Sequence, residues 1–140
     1  MYRFWPNFRA GLSWMPRDRR ASPVWNWRLK EGSADRPALI LGQSTAWPSS
    51  KVPGAAYSLS LAQQLNEDWS AYVSLSYAPS RRQWHAPAGV NWSFQEGWVA
   101  RLLWDGINVH PAVLHTRGAW SIGLILLDGS DPTLATSLSF

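Results

Sequence analysis

A two-residue alternation that runs to the last residue constrains this chain more than any other feature. The segment Trp69-Ser70-Ala71-Tyr72-Val73-Ser74-Leu75-Ser76-Tyr77 is its clearest copy, and Leu134-Ala135-Thr136-Ser137-Leu138-Ser139-Phe140 ends the chain the same way. Successive side chains of a strand point to opposite faces, so a period of two predicts β structure. Here one face is large and apolar and the other small and polar. Such a pairing suits a sheet closed into a barrel, greasy outside and wet inside.

Apolar parity predicts about ten short strands in a single domain covering residues 1–140. They fall near 5–14, 25–30, 38–43, 57–62, 69–77, 89–95, 98–105, 107–115, 119–126 and 134–140. Between them lie a charged loop from Pro16 to Pro23, a Ser/Pro/Lys/Gly loop over 44–54 and a polar loop from Pro79 to Pro87. Asn66-Glu67-Asp68, Glu96-Gly97, Asp105-Gly106 and Arg117-Gly118 read as tight turns. Ala38-Leu39-Ile40-Leu41 is apolar without a break, so its facing is ambiguous, and Pro111 sits awkwardly inside the eighth strand.

The 11 tryptophans carry the argument about environment. Trp14, Trp25, Trp27, Trp69, Trp92, Trp98, Trp104 and Trp120 take the apolar parity, many near strand ends. A small core must mix large and small side chains and cannot easily hold so many indoles. Tryptophan is favoured where hydrocarbon meets headgroups, so the placement matches an aromatic girdle. The expectation is an antiparallel, up-and-down transmembrane β-barrel. A soluble β-barrel or β-sandwich is the alternative.

Charge and cysteine usage narrow the rest. The net charge is +4 with no cysteine, which excludes disulfides and thiolate metal sites. The arginines cluster in turns rather than in a continuous basic stripe, so nucleic acid is not an expected partner. Arg81-Arg82-Gln83-Trp84-His85 is the nearest thing to a stacking basic patch. No stretch has the length of apolar sequence that a membrane helix needs. The start, Met1-Tyr2-Arg3-Phe4-Trp5-Pro6, lacks the apolar core of a signal peptide. For an exported protein that is a discrepancy: either the leader has been exchanged for an initiating methionine or the chain is not exported.

In its strand-turn-strand spacing, its short turns alternating with longer loops and its ending Leu134-x-Thr136-x-Leu138-x-Phe140, the chain resembles bacterial outer-membrane β-barrels. Leu39-Ile40-Leu41-Gly42-Gln43-Ser44, together with Trp104-Asp105-Gly106-x-x-Val109-His110-Pro111, is similar to uncharacterised small-barrel proteins of bacteria. The resemblance implies an outer-membrane location and the lipid bilayer, or detergent, as the surroundings. It also implies recognition of Phe140 by the barrel-assembly machinery, with other membrane or periplasmic proteins as further partners. It names no activity, so the expected function is a structural or interaction role in that membrane with no assignable chemistry.

On the predicted interior face lie Arg9, Arg28, Lys30, Arg101, Asp105, His110, His115 and Arg117, with His115 included only if Pro111 introduces a bulge. Arg9, Arg28, Arg101, Asp105, His110 and Arg117 are the lumenal ligand candidates, most simply as a plug of ion pairs and hydrogen bonds. Arg101 and Asp105 lie on one strand about 13 Å apart, so their partners belong to neighbouring strands. A narrow anion-preferring pore is an alternative, since cations outnumber Asp105 there. Trp47 and Trp84 are loop candidates for stacking on sugar faces, which makes a Trp-rich carbohydrate-binding β module the competing function. No Gly-x-Ser-x-Gly elbow and no tight His/carboxylate spacing occur. No enzyme activity, cofactor or metal site is expected.

Overall fold

A computed structural model describes residues 2–15, 20–45, 54–118 and 120–138. Every regular element in it is a β-strand. In chain order they are β1 (Tyr2–Trp5), β2 (Phe8–Met15), β3 (Arg20–Lys30), β4 (Ala38–Thr45), β5 (Ala55–Gln64) and β6 (Trp69–Ala78). There follow β7 (Gln83–His85), β8 (Ala88–Gln95), β9 (Trp98–Trp104), β10 (Val109–Arg117), β11 (Trp120–Leu127) and β12 (Asp131–Leu138).

The strands form one antiparallel meander, each hydrogen-bonded to the next, with β7 and β8 both paired to β6. β7 pairs with the Ser76–Ala78 end of β6 and β8 with the Trp69–Val73 end. They occupy one position in the sheet, interrupted at Ala86-Pro87, where proline cannot donate to the ladder. The Ser74 amide donates to the Pro87 carbonyl at 2.8 Å and holds the break against β6.

Two of these strands were not expected. β1 folds back on β2 through Pro6-Asn7, pairing Tyr2 with Ala10 and Arg3 with Arg9. β7 lies inside the loop expected over Pro79 to Pro87. With β7 and β8 sharing a position, the described sheet has eleven positions. In an antiparallel meander alternate positions run the same way, so the first and eleventh strands are parallel. Among the described pairings β1 bonds only to β2 and β12 only to β11.

The closed barrel is therefore corrected: this is an all-β antiparallel sheet whose two edge strands, among the described residues, do not pair with each other. Edges matter because no water reaches hydrocarbon to satisfy unpaired backbone groups, and only closed sheets cross it as strands. With closure go the transmembrane fold, the outer-membrane location, and the bilayer and barrel-assembly partners that the resemblance implied. Phe140, the residue meant to be read by that machinery, lies outside the described residues. Of the alternatives, β-barrel or β-sandwich, an open sheet fits the β-sandwich better.

Register sorts the side chains as the period of two requires. One face carries Leu41, Leu59 and Leu75 in a line, then Leu61 beside Val73, then Trp69 beside Trp92. The opposite face carries Gly42, Ser58 and Ser76 in one row and Ser60 beside Ser74 in another, with the two hydroxyl oxygens 2.6 Å apart. β4, ambiguous in sequence, is settled by these neighbours: Leu39 and Leu41 join the leucine rows while Ile40 lies opposite Ser60. Burial is sparse; the only buried apolar residues among those described are Ala56, Ala78 and Ala112.

Candidate functional site

The aromatic face carries a transverse row that register builds from five separate strands. Trp25 of β3 pairs with Gln43 of β4, Gln43 with Tyr57 of β5, Tyr57 with Tyr77 of β6, and Tyr77 with Trp84 of β7. At the ordinary strand spacing of about 4.8 Å, four steps make a strip of about 19 Å. Its geometry is tied at both ends. The Trp25 indole N–H donates to Gln43 Oε1 at 2.8 Å, and Gln43 Nε2 donates to the Pro23 carbonyl at 3.2 Å. At the other end the Trp84 ring lies on Tyr77 with centroids 4.7 Å apart and planes inclined by 38°.

Trp84 is 62% exposed and Tyr57 44% exposed, so the strip offers ring surface to a partner. Beside Trp84 the chain turns through Pro79–Arg82, where Arg82 adopts a positive φ of 51°. Arg81, Arg82 and Gln83 are exposed there, adjacent in sequence to the indole. Aromatic surface bordered by hydrogen-bond donors is the usual chemistry of a site that takes an amphipathic ring, apolar on its face and hydroxylated at its edge.

A second aromatic group lies nearer the 65–68 and 96–97 turns. Trp69 and Trp92 stack almost parallel, at 9° and 5.6 Å, and the row continues through Phe94 to Trp98 and His115. Trp69 and Trp92 are 39% and 43% exposed, so less ring surface is open there than at Trp84.

The interior candidates separate into three groups. Asp105 and His110 come together at one end of the sheet, His110 with 0% exposure and its Nε2 3.0 Å from Asp105 Oδ2. The Asp128 backbone N–H donates to His110 Nδ1 at 3.0 Å, which assigns the ring proton to Nε2, aimed at Asp105. The other Asp105 oxygen accepts the backbone amides of Ile107 and Asn108, each at 2.8 Å. This is a turn-locking network that ties β9, β10 and the β11–β12 turn together. It presents no nucleophile.

Arg9, Arg28 and Arg101 lie on the small-residue face, opposite or in line with Asn26, Ile40 and Asn91 respectively. The three are on different parts of the sheet. Arg28 Nη1 donates to Glu31 Oε2 at 2.9 Å. Arg101 acts electrostatically on Tyr72, whose hydroxyl is pushed above its ordinary value by burial, the larger effect, and pulled down by that guanidinium.

Arg117 is displaced from the interior set. The β10 ladder runs without a shift through Pro111, so no bulge changes the parity after it. Arg117 pairs with Trp120 and His115 with Ile122, both on the aromatic face. The His115 ring packs against Trp98 at 4.5 Å. Trp47 lies outside the described residues. The anion-preferring pore is corrected together with the barrel, because an open sheet encloses no lumen for these arginines to line.

Sequence reasoning picked out Trp84 but missed Trp25, Gln43, Tyr57 and Tyr77 as its companions. The parity of Tyr57 and Tyr77 was visible and that of Gln43 was not, and only cross-strand register puts them in one row. No protein-family model, curated protein or solved structure matches the chain. The outer-membrane resemblance thus has no relative to support it and the unpaired sheet edges against it.

Proposed function

We propose that this chain is a non-catalytic binding module for carbohydrate, with the Trp25–Gln43–Tyr57–Tyr77–Trp84 strip as its platform. The observation that carries the reading is the register of these five side chains across five strands, ending in a highly exposed indole seated on a tyrosine. Pyranose rings present C–H faces to aromatic rings and hydroxyls to flanking amides and guanidinium groups. A strip of about 19 Å accommodates a short extended oligosaccharide rather than a single sugar. Rings fixed by Gln43 and by mutual packing lose little freedom when ligand arrives, which favours affinity.

Isothermal titration of the whole chain with cello-, chito- and xylo-oligosaccharides tests this. Saturable binding to at least one series is expected, increasing with chain length. Trp84→Ala and Tyr57→Ala are each expected to weaken it at least tenfold, about 1.4 kcal/mol. Absence of binding to all three series, or binding unaffected by both substitutions, overturns the proposal.

A further inference from the structure

The small-residue face holds a cavity that the aromatic strip does not use. It has a volume of about 370 Å³, in the range of small-ligand pockets, and opens beside the 31–38 and 64–69 turns. Its wall combines Arg28, Arg36, Gln63, Ser70, Tyr72 and Asn91. We propose that this cavity binds a small hydroxylated carboxylate of the uronic-acid class, with the carboxylate at Arg28 and Arg36 and the hydroxyls toward Tyr72 and Asn91.

Charge favours an anion. Two guanidinium groups line the cavity against one carboxylate, Glu31, which pairs with Arg28, so the wall carries one cation in excess. Arg28 uses Nη1 for that bond, and a guanidinium has five N–H donors in a planar fork suited to carboxylate. Arg36 is placed by a closed turn: the Ser33 amide donates to the Arg36 carbonyl at 2.8 Å, and the Arg36 amide returns to Ser33 at 3.3 Å. Gln63 clamps the same turn from β5, its Nε2 donating to the carbonyls of Ser33 at 3.1 Å and Ala34 at 2.8 Å. The backbone that carries Arg36 is thus fastened to the sheet.

The floor supplies neutral polar groups. Asn91 Nδ2 donates to Ser70 Oγ at 3.0 Å, which orients the amide. The Tyr72 ring stands over Gly89, where an added Cβ would lie 2.5 Å from Tyr72 Cε1, so a side chain at 89 and the present ring position exclude each other. Burial keeps the Tyr72 hydroxyl protonated and able to donate as well as accept. Arginine forks on one side and hydroxyl and amide groups on the other match a ligand with a carboxylate at one end and hydroxyls at the other.

The test titrates the whole chain with D-glucuronate, D-glucose and inorganic sulfate, following chemical shifts by NMR. Saturable binding of glucuronate is expected, at least tenfold tighter than either glucose or sulfate. Arg36→Gln, a substitution in an exposed turn, is expected to weaken it at least tenfold, and Tyr72→Phe severalfold. Trp84→Ala is expected to leave it unchanged, which separates this site from the carbohydrate platform. Equal affinity for glucose, equal affinity for sulfate, or full affinity in both Arg36→Gln and Tyr72→Phe overturns the proposal.

Discussion

Replacing His110 by alanine removes three things at once from a site with no solvent access. The bond from Nε2 to the Asp105 carboxylate, 3.0 Å long, is charge-assisted and contributes about 1.5–3 kcal/mol. The Asp128 amide loses its acceptor at Nδ1, about 0.5–1.5 kcal/mol more, and the vacated ring leaves a cavity. The sum is about 3–5 kcal/mol, the range found when one partner of a buried pair is deleted. Asp105→Asn tests the same geometry from the other side. Its oxygen can keep the Ile107 and Asn108 amides, but its NH₂ then meets the proton on Nε2, donor against donor. Swapping the ring proton to Nδ1 would set it against the Asp128 N–H instead. A loss of about 2–4 kcal/mol is expected, most of it absent in a chain that already carries His110→Ala. Urea titrations followed by far-ultraviolet circular dichroism measure all four corners of this cycle. A loss below about 1 kcal/mol for His110→Ala, or losses additive to within about 0.5 kcal/mol, would refute the assigned proton and the network built on it.

Tyr72 predicts an alkaline signature. Its hydroxyl is raised from 10.0 by burial, against the opposing Arg101 charge, so folding favours the protonated phenol. That contribution is fully present below pH 10 and is lost as the pH rises through the folded value. Tyr72→Phe is expected to flatten the fall in stability above pH 10 that the parent chain shows in urea titrations; an unchanged slope rules out the effect. Gly89→Ala drives a methyl into the Tyr72 ring and to 3.1 Å from Leu103 Cδ2, and is expected to cost about 1–3 kcal/mol. Thermal unfolding of Gly89→Ala beside Gly89→Ala/Tyr72→Leu checks the cause, because the smaller side chain should recover part of the loss.

Much of this molecule is legible one strand at a time. The segment 69–77 reads as a strand from its alternation, and β6 spans Trp69–Ala78. The shared parity of Trp25, Trp27, Trp69, Trp92, Trp98, Trp104 and Trp120 is likewise local, and cross-strand register keeps all seven on one face. The sites were less legible. Asp105 and His110 are five residues apart across a turn, so their meeting is a short-range event, yet the role of Asp128 depends on β11 returning beside β10. Arg36 and Tyr72 belong to one cavity only because β3 through β8 lie side by side. His115 counted as inward only if Pro111 introduced a bulge, whereas the β10 ladder continues past Pro111 in unbroken register and leaves both His115 and Arg117 on the aromatic face.

Sequence by itself determined that the chain forms antiparallel strands with one tryptophan-rich face and one small, polar face. That follows from the pleat, which sends neighbouring side chains to opposite sides whatever the rest of the chain does. Tertiary structure decided whether the ends meet, and hence which environment the tryptophans imply. Closure depends on whether the two edge strands pair, and two short segments decide where pairing is offered. β1 has four residues and β7 three, too few to show a period. They are strands because β2 and β6 offer them hydrogen-bond partners. Among the described residues β1 bonds only to β2 and β12 only to β11, so the sheet stays open.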